Sequence, residues 1–435
     1  MSCKPCSTKL AWRKPLPPDR LIQDQARTRL APPARALTLA FITDELPVPG
    51  RAGHLAYNHA LISHWRAQGH QVTVFLTRPR LAAPLVPKPD FPVLGPHLWR
   101  VGQHLLSTEP RALAAHFRRP RTHATHATLG APITPHQSNW IARRLSALNP
   151  AAPMPDALII DTIFRAALLD HPSLTPPAGR RPHALLLAHD VFHRRHAALS
   201  LAGLSVRPAH LTRADEAALL NKASSIVAIQ PDEAALITAL CPERPVITVP
   251  MPATAVPRTT AQPRASANLV FLGSASLPNL DGLRWFLEQV WPRLRRQRPD
   301  LTLDLLGDCA LALNPLPEAV YRHGIVPNLA PALHRASLAI APLRAGSGLK
   351  IKLLDYARHG LVTIASPAAL DGLAADPSSP FIAAATAADF SRAITANLAN
   401  PPNDWRALSY ITTHYGPAQI FAPLDALLTE IAAPL

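Results

Sequence analysis

The sequence has 435 residues, more than one hydrophobic core usually supports, and therefore favours two domains. Apolar residues make up 48% of the chain and charged residues 17%, proportions that exclude a disordered protein and are typical of a globular one. The net charge of +16 favours either an anionic partner or an arginine-rich solvated surface, and no basic stripe with interleaved aromatic residues indicates nucleic acid.

Residues 1–35 are rich in proline and charge and lack periodicity, so we predict a flexible leader outside the core. Cys3 and Cys6 form a C-x-x-C pair, but zinc requires four ligands and no second pair follows at ligand spacing, so no metal site is expected. Cys241 and Cys309 are isolated within predicted elements, where buried thiols are common. No apolar run resembles a secretory signal or approaches 18 residues, which predicts a cytoplasmic protein, free or bound peripherally to a membrane.

The first domain is predicted to cover residues 36–250 and to begin with an apolar strand at 37–43. A loop containing Gly50 and Gly53 follows, then a helix with apolar residues at helical spacing, and then a second strand at 71–76. Strand, glycine loop, helix and strand form a βαβ unit. The same alternation predicts further parallel strands at 156–160, 183–189, 224–229 and 246–249.

Between Pro79 and Thr134 the pattern is poor, and no element is predicted there. His123 and His126 lie in this stretch without helical context and without a third ligand at familiar spacing. We therefore interpret them as loop histidines and not as metal ligands.

A proline-rich linker at 251–267 separates the first domain from a second one at 268–415. In the helix that follows Asp281, apolar residues recur every three or four positions and form one stripe that faces the sheet. Two such domains leave a cleft at the carboxyl ends of both sheets, where α/β proteins bind ligands. The predicted strands of the second domain are 268–273, 302–307, 323–326, 337–343 and 362–366.

The strongest local signal is the segment 337–366, which combines a strand, a glycine loop at 346–348, a helix and another strand. The loop leaves backbone N–H groups bare at a helix start, where the helix dipole favours an anion such as phosphate. Lys350 and Lys352 oppose that dipole by about 0.3–1 kcal/mol unless an anion compensates them. The alternative is that the glycines serve only the turn and both lysines are solvated.

This segment resembles the donor-binding motif of glycosyltransferase family 4, in a branch of these GT-B enzymes that is written G-S-G-x-x-x-K-L-L-[DE]. Many members carry two glutamates eight positions apart here. In this sequence Asp355 stands at the second position and Ser347 at the first. Further stretches resemble family segments in the expected order: 185–196, 271–292 and 323–343.

The resemblance, which spans about residues 37–375, implies two Rossmann-like parallel-sheet domains that face each other across a cleft, with a C-terminal helix at 416–435 packing back on the first domain. Lys350 would be the cation that clamps the diphosphate, because the arginine and lysine that many relatives carry near Gly273 are absent. The donor-binding residues that the resemblance implies are Gly273, Ser274 and Asn279 at the diphosphate, Gly324 and Ile325 at the base, and Gly346, Ser347, Gly348, Leu349 and Asp355 in the glycine-loop segment.

His189 and Asp190 end a predicted buried strand of the first domain, where side chains point into the cleft. In related enzymes a histidine at this position approaches the donor sugar, so the resemblance implies a sugar contact for His189. Gly50 and Gly53 would let the backbone approach the sugar or the acceptor. The alternative for His189 is a core histidine with satisfied hydrogen bonds.

The implied enzyme is a retaining hexosyltransferase that moves a sugar from a nucleotide-sugar donor to an acceptor, a cell-surface glycan or lipid-linked precursor of polysaccharide biosynthesis. The leaving diphosphate can take the acceptor proton, so no strong base and no cofactor beyond the nucleotide-sugar co-substrate is expected. Two alternatives stay open: a GT-B sugar-nucleotide epimerase-like enzyme and a catalytically silent nucleotide-sugar-binding scaffold. The net charge and the family habit together predict peripheral contact with an anionic membrane at its inner face.

Overall fold

The computed structural model describes residues 35–48, 53–81, 83–110, 126–148, 154–174, 181–201, 205–259, 264–345 and 349–433. Several residues singled out above lie outside these ranges: Cys3, Cys6, Gly50, His123, Gly346, Ser347 and Gly348.

The first domain is built on a parallel sheet, as predicted. Its strands are β1 (Thr38–Glu45), β2 (Gln71–Arg80), β4 (Val93–Leu94), β8 (Ala157–Asp161), β9 (His183–Ala188), β11 (Ser225–Ala228) and β12 (Val246–Thr248). In the described residues these seven strands lie in the order β12-β11-β9-β8-β1-β2-β4, and each neighbouring pair is parallel. The carboxyl ends of β1, β8 and β9 therefore meet at one edge.

Both faces of this sheet are buried. Along β1, Leu39 and Phe41 pack into one hydrophobic core, while Ala40 and Ile42 pack into another on the opposite face. Because residues on both faces are apolar, the strand is an uninterrupted apolar run and not an alternating one.

Helices cover this sheet: α1 (Gly53–Ala67), α2 (Pro135–Leu145), α3 (Phe192–Leu201), α4 (Arg213–Leu220) and α5 (Pro231–Leu240). Two of them begin at a capping box. Thr212 accepts a hydrogen bond from the backbone of Asp215, whose side chain accepts one from the backbone of Thr212. Thr134 and Gln137 do the same for α2. Reciprocal caps of this kind fix where a helix starts.

Small sheets occupy the stretch in which the sequence predicts no element. Strands β3 (Leu85–Pro87), β5 (Leu98–Val101) and β6 (His104–Ser107) form an antiparallel sheet, and β7 (His126–Thr128) pairs with β10 (Ser205–Arg207). Strands of three or four residues are too short to show a hydrophobic period. In the three-stranded sheet, Val86 and Leu105 point into the first-domain core.

The second domain has its own parallel sheet of six strands in the described residues, in the order β15-β14-β13-β16-β17-β18. They are β13 (Asn268–Leu272), β14 (Thr302–Leu306), β15 (Val320–Gly324), β16 (Leu338–Ala341), β17 (Thr363–Ala365) and β18 (Phe381–Ala383). Its helices are α6 (Leu277–Trp285), α7 (Trp291–Gln297), α8 (Ala330–Arg335), α9 (Ile351–Arg358), α10 (Pro367–Leu370) and α11 (Ala387–Ala399), followed by α12 (Asp404–Tyr415) and α13 (Pro417–Ala432).

Three of the differences between predicted and observed bounds lie in the second domain near the candidate site. The strand predicted at 323–326 is Val320–Gly324, because Gly324 has a φ of 65° and turns the chain out of the sheet. The helix predicted after Asp281 begins earlier, at Leu277, and a π-helical turn at Phe286–Val290 joins it to α7. Helix α9 starts after Lys350, so Lys350 is its N-cap residue and not part of its first turn.

The two domains contact each other at several places. On α13, Phe421 stacks on His64 of α1 with 3.9 Å between ring centroids, and Asp425 Oδ1 lies 2.7 Å from His64 Nε2. A Cβ on Gly53 would lie 2.7 Å from Ile351 Cδ1, so these two helix starts approach each other closely. The C-terminal helix thus packs against the first domain. In the described residues no helix is long and apolar enough to cross a membrane.

Candidate active site

Glycines line the carboxyl ends of three neighbouring strands in the second domain. Gly307, which follows β14, donates its backbone N–H to Gly324 O over 2.6 Å. Gly307 also has a φ of 93°, and a Cβ there would lie 2.2 Å from Gly273 O. The chain can therefore cross this sheet edge only without a side chain at position 307. The result is a bare backbone edge, of the kind at which α/β proteins bind ligands.

Asn279 holds the loop that follows β13. Its Nδ2 donates hydrogen bonds to Ser274 O (3.0 Å) and Ser274 Oγ (3.3 Å). Asn279 is buried while Ser274 is exposed, so a buried amide supports an accessible loop. A Cβ on Gly273 would lie 2.8 Å from the Phe271 ring and 3.1 Å from Asn279 Nδ2. The structure thus brings together Gly273, Ser274 and Asn279, the residues assigned to the diphosphate.

Lys352 reaches the same loop from α9. Its Nζ donates a hydrogen bond of 2.5 Å to Asn279 Oδ1 and lies 4.5 Å from the centroid of the Phe271 ring. Burial lowers the pKa of Lys352 to about 7, although the nearby Cys309 acts in the opposite direction. Lys352 is not among the site residues predicted from the sequence. The signal that could have found it is the lysine of the G-S-G-x-x-x-K pattern, which is Lys352 and not Lys350.

Lys350 faces the first domain. Burial lowers its pKa, while the carboxylates of Asp371, Asp190 and Glu233 act against that shift. Asp190 and Glu233 belong to the first domain, whereas Asp371 belongs to the second. The N-cap residue of α9 thus brings a cation to the boundary between the domains.

The other predicted donor residues are spread along this edge. Leu349 packs against the first-domain core, and Ile325 has 72% of its surface exposed beside Gly324. Asp355 lies on α9, and burial raises the pKa of its carboxyl group to about 6 while Arg358 opposes the shift. No described contact joins Ile325 or Asp355 to the loop at Gly273.

On the first-domain side, His189 follows β9 and lies against Asp161, the last residue of β8. His189 Nε2 is 2.7 Å from Asp161 Oδ1, and Thr43 Oγ1 donates to Asp161 Oδ2 over 2.5 Å. Burial alone would raise the pKa of Asp161, but the hydrogen bond from His189, the charges of His189 and Arg165, and the Thr43 hydroxyl together hold it below its usual range. An ionised Asp161 fixes the His189 ring with Nε2–H donating.

Aromatic and acidic groups surround this pair. The Tyr57 ring meets His189 edge-on with centroids 5.5 Å apart, and the His54 ring lies 6.2 Å away. His54 Nε2 is 3.7 Å from Glu45 Oε2. Burial opposes charging of His54, yet Glu45 and Asp161 raise its pKa overall. Sequence reasoning missed Asp161, although its position at the carboxyl end of a buried strand was a usable signal.

Two further acidic residues, Asp190 and Glu233, lie on the same side of the first domain as His189. Asp190 accepts a hydrogen bond of 2.8 Å from Arg195, and Glu233 lies at the start of α5. Burial and the charge of Asp190 raise the pKa of Glu233 to about 8, against the effects of Gln230, Lys350 and Arg195. Glu233 Oε2 has no hydrogen-bond partner in the described part of the chain. Such a carboxyl group is a candidate functional residue that the sequence did not single out.

Part of the predicted site cannot be placed, since Gly50 and the glycine loop of Gly346, Ser347 and Gly348 lie outside the described residues. The described residues still form two facing sets. One set is the loop at Gly273 with Lys352. The other consists of His189, Asp190 and Glu233 and is called the first-domain wall. Lys350 lies between them.

The second domain resembles a known protein family. The family model described as Glycosyl transferases group 1 matches residues 266–400, which contain the Gly273 loop and both lysines. No curated protein matches the chain.

Solved structures resemble the whole chain. Sucrose-phosphate synthase from Thermosynechococcus elongatus matches with a TM-score of 0.64 at 14% identity, over 91% of this chain and 99% of that one. Anabaena HepE, in complex with UDP and glucose, gives 0.59 at 10% identity, over 91% and 100%. WaaG, a glycosyltransferase involved in lipopolysaccharide biosynthesis, gives 0.53 at 14% identity, over 90% and 99%.

At these identities the likeness shows the fold, and it confirms the predicted GT-B architecture. Together with the group 1 match over the second domain, it identifies the chain as a glycosyltransferase.

The raised pKa of Glu233 makes the stability of the protein depend on pH. Its folded-state pKa lies above that of an unfolded glutamate, so the folded protein binds the extra proton and stability falls as pH rises from about 4.5 to about 8. Glu233→Gln removes this loss. We expect the variant to melt at a higher temperature than the wild type at pH 9, with the difference shrinking towards pH 5. A difference that is constant across this range in thermal unfolding experiments would contradict the assignment.

Proposed function

We propose that the chain is a retaining hexosyltransferase of the family 4 type, which transfers a sugar from a nucleotide-sugar donor to a glycan or lipid-linked acceptor. The observation that carries the proposal is the bare strand edge at Gly273 and Gly307 with two lysines beside it. Loss of a nucleoside diphosphate builds negative charge on the leaving group, and preorganised cations and backbone N–H groups stabilise such charge. The site residues keep the roles that the resemblance implies.

The donor is proposed to lie with its diphosphate on Gly273 and Ser274 and its base near Gly324 and Ile325, with Asp355 as a further donor-binding residue. Gly346, Ser347, Gly348 and Leu349 complete the donor site in this proposal. HepE was crystallised with UDP and glucose, which makes UDP the first nucleotide to test here. No cofactor other than the nucleotide-sugar co-substrate is proposed.

The sugar is proposed to lie between Lys350 and the first-domain wall. His189, held by Asp161, then meets a sugar hydroxyl with its remaining ring nitrogen, while Asp190, Gly50 and Gly53 belong to the acceptor side. Asp161 keeps the ring in one tautomer by accepting the Nε2–H hydrogen bond, as a neighbouring carboxylate does in many histidine sites. The leaving diphosphate accepts the acceptor proton on the same face, and the sugar keeps its anomeric configuration.

The central test is Lys350→Ala. Because Lys350 stabilises charge on the leaving diphosphate, we expect turnover of the nucleotide sugar to fall at least about tenfold while the melting temperature changes little. Lys222→Ala is the matched control, since Lys222 pairs with Asp170 on the first domain. Unchanged turnover in Lys350→Ala would remove Lys350 from the site. Product analysis by NMR in the same assay separates transfer with retention from inversion and from donor epimerisation without an acceptor.

A lipid-linked acceptor, as proposed, requires the protein to contact a membrane. The three-stranded sheet of β3, β5 and β6 has a surface that suits this contact. Its outer face presents Leu85 (48% exposed) on β3 and Trp99 (60%) and Val101 (51%) on β5, and both Leu85 and Trp99 pair with Leu106 of the central strand β6. A small sheet whose outer face is apolar is a usual sign of an interaction surface, and Trp is favoured at membrane interfaces. The net charge of +16 favours an anionic bilayer as the partner.

Vesicle sedimentation tests this surface. At low salt we expect the wild type to pellet with vesicles of phosphatidylglycerol and phosphatidylcholine and not with phosphatidylcholine alone. The double variant Trp99→Ser and Val101→Ser lacks the apolar side chains that would be buried on contact with the bilayer, so it should bind at least about tenfold more weakly. Leu311→Ser, at an exposed leucine of the second domain, is the control and should bind like the wild type. Equal pelleting of the wild type and the double variant would exclude this surface.

A further inference from the structure

The amine of Lys352 is enclosed by groups that cannot neutralise an ammonium. Phe271 of β13 presents its ring, Asn279 of α6 its amide oxygen, and Cys309 its thiol from the turn after β14. Burial raises the pKa of Cys309 to about 11, so this thiol stays protonated and uncharged. The charged groups nearby are Lys350, which has the same sign, and Asp308, whose Oδ1 accepts a hydrogen bond from the backbone of Ala275 in the loop after β13.

Within the part of the chain that the structure describes, Lys352 forms no ion pair with a carboxylate. Taking an ammonium out of water without a counter-ion is unfavourable, and a buried lysine responds by giving up its proton. This is the physical cause of the lowered pKa of Lys352. Near neutral pH the folded protein therefore holds a substantial fraction of Lys352 as the uncharged amine.

The position of this amine determines what would change its charge. Lys352 bonds to Asn279, and Asn279 bonds to Ser274, so a chain of two contacts leads from the amine to the exposed loop. Gly273, which has no side chain, does not separate the Lys352 amine from this loop. A dianion on this loop would supply the missing counter-charge and would make the ammonium the favoured form.

We propose that the binding of the donor's diphosphate at Gly273 and Ser274 is coupled to proton uptake by Lys352, whose amine is uncharged in a substantial fraction of the free enzyme and is an ammonium in the complex. The proton comes from solvent and forms an N–H bond on Nζ. The inference rests on the proposed function, because it requires a nucleotide diphosphate at this loop. It adds that a second cation of the site, the ammonium of Lys352, forms when the ligand binds.

Isothermal titration calorimetry with UDP measures the coupling directly. At pH 8.5, titrations in two buffers that differ in ionisation enthalpy give the number of protons bound with each nucleotide. We expect about one proton, because an ion-paired lysine returns to a pKa near 10.4 while the free enzyme holds almost none at this pH. Terminal phosphates have their second pKa near 6, so UDP itself stays fully ionised. Uridine, which carries no phosphate, should produce no uptake.

Two substitutions assign the proton to Lys352. Lys352→Met keeps the volume of the stem without an amine, so UDP should bind at least about tenfold more weakly and without the Lys352 proton, while the melting temperature is unchanged or higher. A lysine with only a structural role would instead give a lower melting temperature. Lys352→Arg carries a permanent charge, so its UDP affinity should stay level from pH 7 to pH 9, whereas the wild-type Kd should rise by up to about tenfold per unit.

Glu233, whose pKa is raised to about 8, also titrates in this range, and burial lowers the pKa of the neighbouring Lys350. The calorimetry is therefore repeated in Glu233→Gln. Uptake that persists in Glu233→Gln and disappears in Lys352→Met supports the proposal. Uptake that persists in Lys352→Met, or UDP binding by the wild type without any uptake, overturns it and leaves the proposed function standing. If none of UDP, GDP, ADP and dTDP binds, both proposals fail together.

Discussion

The amine of Lys352 is placed against a neutral amide and an aromatic ring, and in the described residues no carboxylate pairs with it. A charge held in this way lowers the free energy of unfolding unless an anion compensates it. Above it, Gly273 and Gly307 carry the chain past the strand ends without side chains. The second domain therefore has a site that is electrostatically incomplete, and a diphosphate is an anion that would complete it.

The first domain supplies the opposite wall, and its chemistry is different. His189 is oriented by the buried Asp161, while Asp190 and Glu233 place acidic groups opposite Lys350. One hydrophobic core contains residues of both domains, so these walls are joined by packing as well as by charge. The proposed sugar position between them has a cation on one side and hydrogen-bonding groups on the other. Such an arrangement separates the leaving group from the acceptor side.

Much of the fold can be predicted from local patterns, but the site cannot. Strands buried on both faces give continuous apolar runs, and β1 and β13 lie within two residues of their predicted bounds. Strands β3 to β6 escape prediction because they are too short to show a period. Asp161 and Lys352 do carry local signals, a strand end and a motif lysine, but their contacts cannot be predicted from them. Their partners His189 and Asn279 lie 28 and 73 positions away, and no local pattern contains such contacts.

A crystal structure of the chain with UDP tests the central claim most directly. The account predicts the diphosphate on the loop of Gly273 and Ser274, with a phosphate oxygen about 3 Å from Lys352 Nζ and Lys350 facing the same group. UDP bound elsewhere on the chain, or a diphosphate on this loop with Lys352 still held only by Asn279 and Phe271, would contradict it.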